Sequence, residues 1–364
     1  MDMNNKKSIV SIIASAGLML TALITPTLAS AQLAGHNVIL VHGFVSEDLI
    51  KAPTREELLA RRKMSEFWQA RAEGYFNWSG AERLEGGIAE LVFEQAKKYS
   101  AEGLCTNGCV LVTHSTGDLV GRYFLAHQEA WLTSAGYAPL NIVATIDFAG
   151  AGGGTDLADI AVAAANSDYV PLPMKLAAGA VIGMDLDVTD YKDLGVVLDL
   201  TTSGARNHAN WPNTIPRLLF PVNGADSVNA VTKPFIRGAD DTVVPAHSSC
   251  GASAPDAIQS CSSSIAYDGK LSWQFGPRGL LPNHFPVLMA DNYDHFSLVQ
   301  DQHRGNTTYV LNNFSAGLTV DFQTNTRKVT RRWWEVWKET GTWQYVAGSD
   351  SKSFSRLIYQ TLNN

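Results

Sequence analysis

The stretch VLVTHSTGDLVGRY, Val110 to Tyr123, constrains the chain most. It begins as an apolar, β-branched run and ends in a helical pattern, with Ser115 at the junction. A near-continuous apolar run of strand length suits a strand buried on both faces, as in parallel sheets covered by helices. The runs NVILVHGF (37–44) and NIVATIDFAG (141–150) repeat the theme, and RLLFPVNG (217–224) and KPFIRGADD (233–241) lie in a fourth and fifth strand region. Helical stretches fall between them. Arg55 to Glu73 is helix-forming and charged. In residues 84–100, Ile88, Leu91, Val92 and Ala96 recur at helical spacing. In residues 116–132, Leu119, Val120, Tyr123 and Phe124 share one face. Strands alternating with helices predict an α/β fold with a mostly parallel central sheet flanked by helices. Residues 150–202 break the rhythm. They are Gly/Ala-rich, then apolar, with short helices expected in 157–167 and 174–184. They read as an inserted lid or cap over the C-terminal edge of the sheet, where open α/β sheets bind ligands.

Composition excludes several classes. The net charge of −7 comes without a polybasic patch, so no nucleic-acid partner is expected. GAGGG, Gly150 to Gly154, fits neither a dinucleotide frame nor a P-loop. The N-terminus carries Lys6 and Lys7, an apolar stretch from Ile9 to Ile24, Pro26, and small residues at Ala29 and Ala31. That is the layout of a secretory signal peptide over residues 1–31, cleaved after Ala31. No second apolar span follows, so the mature protein is expected to be secreted, without a stable membrane span. In an oxidising compartment four cysteines predict two disulfides, and the local pairs Cys105–Cys109 and Cys250–Cys261 are favoured. No His spacing completes a zinc site.

A serine that attacks a carbonyl needs a base, an acid to orient the base, and donors aimed at the developing oxyanion. A strand-to-helix turn exposes the hydroxyl and adds helix N–H groups beside it. Ser115 has that mount, although the usual G-x-S-x-G frame has Thr113 in place of its first glycine. His42 and Gly43 end the first strand. The turn there would let the Phe44 N–H join that of Thr116 in an oxyanion hole. The candidate acids are Asp240 and Asp241, of which Asp241 is preferred for its spacing to Val244 and Pro245. The candidate bases are His295 and His284. His295 is preferred because Pro286 cramps the loop at His284, while an apolar run follows His295. His42 and His114 flank the site and shape it. His36, His127, His208, His247 and His303 are expected to be structural.

These motifs resemble those of α/β-hydrolases, and within them the secreted bacterial true lipases of the Pseudomonas and Burkholderia type. VILVHGF resembles their oxyanion strand, and THSTGDLVGRY their nucleophile elbow and helix. ATIDFAGAGGGTDLAD, DLTTSGARNHANWPN, DDTVVPAHSSCG and DNYDHFSLV resemble four further segments, in family order from about Val38 to Val299. The resemblance implies an α/β-hydrolase catalytic domain over residues 32–301, with Ser115 as nucleophile, His295 as general base and Asp241 as its orienter. It implies a lipase or esterase acting on an ester or lipid, polymeric esters included. An acyltransferase using the same acyl-enzyme and a non-catalytic binding protein are the competing readings. No cofactor is expected. The family's structural calcium is the one candidate, but Ser297 stands where an Asp ligand is expected, with Asp301 nearby. Asp118 replaces an elbow glycine and reads as a helix-start carboxylate favoured by the dipole. Residues 302–364 extend beyond the resemblance, and their tryptophan-rich TRRWWEVWKETGTW reads as packing on the catalytic domain rather than a contact surface.

Overall fold

The computed structural model describes residues 32–45, 52–60, 65–167, 169–183, 185–186, 191–208, 214–261, 269, 276–310, 320–333 and 337–364. The expected signal peptide, residues 1–31, lies outside them. Six strands form the central sheet: β1 (Asn37–Val41), β2 (Gly74–Phe76), β3 (Cys109–His114), β4 (Ile142–Phe148), β5 (Arg217–Phe220) and β6 (His284–Pro286). Their order is β2-β1-β3-β4-β5-β6, and every adjacent pair is parallel.

The apolar runs are continuous because both faces of the sheet are covered. Ile39, Val41 and Leu111 join one buried cluster, and Val38, Leu40, Val110 and Val112 join another. Five helices precede or line the site: α1 (Arg55–Ala60), α2 (Glu66–Gln69), α3 (Ala89–Ala101), α4 (Thr116–Ser134) and α5 (Asp156–Asn166). Next come α6 (Leu172–Ile182), a 3₁₀ segment over Tyr191–Leu198, and α7 (Thr202–Asn207). Short α8 (Asn229–Thr232) and α9 (Ala246–Ser249) follow β5. This is the α/β fold with a mostly parallel central sheet flanked by helices expected from the sequence, and α5, α6 and α7 lie between β4 and β5.

Several local readings are corrected. Arg55 to Glu73 is not one helix; its described residues hold α1 and α2, and Ser65 before α2 has a non-helical backbone (φ −55°, ψ 119°). The short strand β2 follows directly. Leu91 is solvent-exposed although Val92 and Ala96 are buried, because it lies one residue off the apolar stripe. KPFIRGADD holds no strand: Lys233–Phe235 is a 3₁₀ turn, and the acidic pair follows in bends. The sixth strand is instead His284–Pro286, whose pairing to β5 supplies the backbone partners that three residues cannot signal by pattern.

The C-terminal residues complete the core. β7 (Leu288–Met289) pairs with β8 (Thr308–Tyr309), and β9 (Thr324–Trp333) with β10 (Trp337–Val346). Trp343 at the base of this hairpin is fully buried. Helix α10 (Phe354–Leu362) buries Phe354, Leu357, Ile358 and Leu362. Phe354 packs edge-on against Phe148, Phe220 and Tyr293. Both favoured disulfides are formed, Cys105–Cys109 and Cys250–Cys261.

The chain changes direction between β1 and β3. It steps from β1 outward to β2, then crosses back over β1 to β3 and continues away. Such a reversal leaves a crevice at the strands' C-terminal ends. Phe44 follows β1 and Ser115 follows β3, so both stand at that crevice.

Candidate active site

Ser115 is held in a strained turn, with φ 56° and ψ −128°. A non-glycine residue there costs on the order of 1–3 kcal/mol and persists only where its surroundings enforce it. Here the Ser115 N–H donates to Phe148 O at 3.1 Å, and its carbonyl accepts from Asp118 N at 3.1 Å and Ala151 N at 2.9 Å. Gly117 is required, because a Cβ would lie 2.4 Å from the Val41 carbonyl oxygen. Thr113 is accommodated: it is fully buried and its hydroxyl donates to Asp147 Oδ1 at 2.7 Å.

Three distant segments meet at the Ser115 hydroxyl. His295 Nε2 lies 2.8 Å from Ser115 Oγ, and His295 Nδ1 lies 2.8 Å from Asp241 Oδ2. A carboxylate only accepts, so Nδ1 carries the proton and Nε2 offers its lone pair to the hydroxyl. Asp241 Oδ1 accepts from Val243 N at 3.0 Å and Val244 N at 2.7 Å, so the turn after it points the other oxygen at the ring. Asp240 is occupied otherwise: its carboxylate takes the Thr242 N–H and the Lys233 ammonium. His284 is also engaged elsewhere. Its Nδ1–H donates to Pro282 O at 2.8 Å, and its Nε2 accepts from Arg122 Nη1 at 2.6 Å. Burial and Arg122 hold its pKa well below the usual value, so it stays neutral.

The flanking histidines are structural anchors. His114 Nε2–H donates to the His295 carbonyl at 3.0 Å, while the His295 N–H donates to Asp241 O at 3.0 Å. The backbone of His295 is thereby held on both sides. Burial lowers the His114 pKa to about 3 and that of His42 to about 4. His42 stacks on Trp78 at 4.9 Å, and its Nδ1–H donates to Gly43 O at 2.7 Å. In a trans peptide the N–H points opposite to the C=O. Fixing the Gly43 carbonyl toward His42 therefore turns the Phe44 N–H away from it. Thr116 is the first residue of α4, and N–H groups of a first turn lack intrahelical acceptors.

Asp118 stands in the first turn of α4, as its helix-start reading has it. It is fully buried in an ion cluster that sequence reasoning missed. Oδ1 accepts from Arg122 Nε at 2.8 Å and Arg217 Nη2 at 2.5 Å, and Oδ2 from Gly152 N at 2.9 Å. Arg217 Nη2 also reaches Asp147 Oδ1 at 3.2 Å. Burial opposes the Asp118 charge, but Arg122 and Arg217 outweigh it and hold its pKa down to about 2. For Asp147 burial wins and the pKa rises to about 6. The cluster explains GAGGG as well. A Cβ at Gly152 would fall 2.1 Å from Arg122 Nε, so only glycine lets the loop close over the buried charges.

The side chains nearest the family's calcium position have protein partners here. Ser297 Oγ accepts from Asp294 N at 2.9 Å. Asp301 accepts from Ser65 Oγ at 2.9 Å and Phe67 N at 2.6 Å, so both its oxygens have protein donors. Among the described residues no group of three or more metal-ligating side chains occurs.

Two cavities meet at Ser115. One, of about 60 Å³, is lined by Ala151, Leu157, Ala158, Val181, Ile182, Val197 and Leu200, together with Val243 and Val244. The other, also of about 60 Å³, is lined by Gly43, His114, Val299 and Gln300. Phe44, Ser115, His295 and Phe296 border both.

No protein-family model matches the chain, and no curated protein matches it. Among solved structures it is similar to a mature lipase of Bacillus licheniformis, at 14% identity over 73% of this chain and 87% of that one, TM-score 0.42. It is similar to a metagenomic carboxyl esterase at 14% identity over 77% and 68%, TM-score 0.41. Staphylococcus hyicus lipase is similar at 15% identity over 73% and 89%, TM-score 0.37.

Proposed function

We propose that this chain is a carboxylic-ester hydrolase, a lipase or esterase, acting through Ser115, His295 and Asp241. The observation that carries the reading is the unbroken line of hydrogen bonds from Ser115 Oγ through both His295 nitrogens to Asp241. In acylation Oγ bonds to the ester carbon as its proton passes to His295 Nε2. The carbonyl oxygen becomes an oxyanion facing the N–H groups of Phe44 and Thr116. Collapse breaks the carbon–oxygen bond to the alcohol, which leaves with the proton from Nε2. Water then repeats the sequence on the acyl-enzyme and releases the acid.

The apolar cavity takes the acyl chain, since apolar side chains of the insertion dominate its lining. That insertion also carries exposed Tyr169, Leu172 and Leu176, and Phe296 is exposed at the cavity border. Exposed apolar side chains on such an insertion favour water-insoluble lipid or polymeric esters. The leader expected over residues 1–31 makes the enzyme secreted, and the six motifs in order support the Pseudomonas and Burkholderia type. Among the described residues no helix is long and apolar enough to cross a membrane. The test is a chain-length series of nitrophenyl esters on wild type and Ser115→Ala. Wild type hydrolyses them and the variant loses several orders of magnitude. A wild type inert on the whole series refutes the reading.

A further inference from the structure

A further cavity, of about 290 Å³, lies away from Ser115, between α4, α3 and the turn Leu84–Ile88 that enters α3. Its walls include three rings, Phe93, Tyr123 and Trp131. Phe93 and Trp131 meet at 5.9 Å with planes 61° apart, and Tyr123 and Trp131 at 5.9 Å with planes 52° apart. Rings tilted in this way make a concave corner, not a flat platform. His127 stacks on Trp131 at 5.1 Å and braces the indole. Glu85 and Glu90 also line the cavity, and both are exposed. The entering turn is non-helical at Glu85 and Gly86, and a Cβ on Gly86 would meet nothing within 4 Å, so the cavity is open there. Burial raises the Tyr123 pKa, and the charges of Glu85 and Asp199 add to it, so negative charge gathers around this ring. Among the described residues no cation lines the cavity. Nearby cations have carboxylates of their own: Arg83 pairs with Asp199 at 2.5 Å and Lys97 with Glu94 at 2.6 Å. Lys97 Nζ also lies 5.0 Å from the Phe93 ring centroid, so this wall already draws a cation.

We infer that this cavity binds a quaternary ammonium group, such as the trimethylammonium end of a choline-type compound. The faces of the three rings carry negative charge density, which attracts a cation. Glu85 and Glu90 add full charges at the same place. The methyl shell of a quaternary ammonium packs on the rings and gives up little hydration. A lysine ammonium is strongly hydrated and loses more on entering such a corner. A sugar stacks flat on one ring, which the tilt between these planes does not favour, and a neutral apolar ligand gains nothing from the two carboxylates. The site is separate from the reaction centre. Tyr123 and Trp131 lie about 10 Å and about 22 Å along α4 from Thr116 by helical rise. A ligand held here leaves the crevice at Ser115 open, so binding does not depend on the ester-hydrolase reading and persists in Ser115→Ala.

The experiment titrates choline chloride into the full chain by calorimetry, with sodium chloride as the salt control. The comparison ligand is 3,3-dimethylbutan-1-ol, which has the same shape without the charge. Choline is expected to bind at least about tenfold more tightly, as contact with two or more ring faces implies. The double variant Glu85→Gln, Glu90→Gln is expected to weaken choline several-fold and leave the alcohol unchanged. Both side chains are exposed, so folding is at little risk. Trp131→Leu is expected to weaken choline about tenfold, with an unchanged thermal midpoint showing that the variant is folded. Sedimentation with phosphatidylcholine vesicles separates two sources of the group. Retention that depends on Trp131 identifies a lipid head, and choline binding without retention identifies a free solute; each supports the site. Equal binding of choline and the neutral alcohol overturns it, as does the absence of choline binding at millimolar concentration. Binding of methyl glucoside in place of choline reads the rings as a sugar platform and overturns it too.

Discussion

Asp118→Asn separates two accounts of the elbow by magnitude. A carboxylate in the first turn of an exposed helix gains about 0.3–1 kcal/mol from the dipole. The structure makes a larger demand. Asp118 and Asp147 face Arg122 and Arg217, two carboxylates against two guanidiniums, and all four side chains are buried. His284 adds no charge, because it is held neutral. Asparagine keeps the shape but leaves the cluster one positive charge in excess. Its amide N–H₂ also turns donors toward guanidinium donors. Arg217 would keep only the longer contact of its Nη2 with Asp147, since among the described residues its Nε and Nη1 have no acceptor. Breaking a buried pair from one side costs about 3–5 kcal/mol, and that is the expected loss for Asp118→Asn. The assay is urea unfolding at pH 7.5 followed by tryptophan fluorescence. Combining Asp118→Asn with Arg122→Met removes the excess charge and is expected to recover at least about 1 kcal/mol relative to additivity. A single-variant loss below about 1 kcal/mol, or strict additivity in the double variant, would show that the cluster is not the reason for the aspartate.

Three further outcomes follow from the same geometry. His295→Ala should lower kcat/KM by about 10⁴-fold or more, whereas His284→Asn should cost stability through Arg122 and leave kcat of the folded enzyme within about tenfold. A comparable collapse in both would reopen the choice of base. His42 and His114 have pKa values lowered from 6.5 to about 4 and about 3, with burial the leading cause in each. The unfolded chain therefore binds protons first, and stability should fall as pH drops from about 6.5 toward 4. Urea midpoints at pH 7.5 and 4.5 measure this, and a level midpoint contradicts it. Replacing Cys250 and Cys261 by serine opens a loop of sequence separation 11, and the loss expected from chain entropy is about 3 kcal/mol. Thermal unfolding with and without reductant checks it, and an unchanged Tm in the serine variant speaks against it.

The sequence by itself determined the parallel sheet and the strand-to-helix turn that carries Ser115. Those features are local: an apolar run long enough to be buried on both faces, a serine at a strand-to-helix junction, a His-Gly turn after a strand. It also ranked Asp241 over Asp240 and His295 over His284, but the grounds for each choice are tertiary. Asp240 is engaged by Lys233 and Thr242, and His284 by Arg122, 162 residues away. Only the folded chain decided what Asp118 is for, because its partner Arg217 lies 99 residues on and Gly152 lies 34 residues on. The glycine run over it was unreadable for the same reason. Strand β6 was invisible because three residues carry no period, and their extended form comes from hydrogen bonds to β5. The C-terminal helix α10 was not singled out in the sequence, and what it covers is not written along the chain. Burial against Phe148 and Phe220 depends on where the sheet ends in space. Pattern along a chain records which face of an element avoids water. Which charge meets which depends on distances that exist only once the chain has closed on itself.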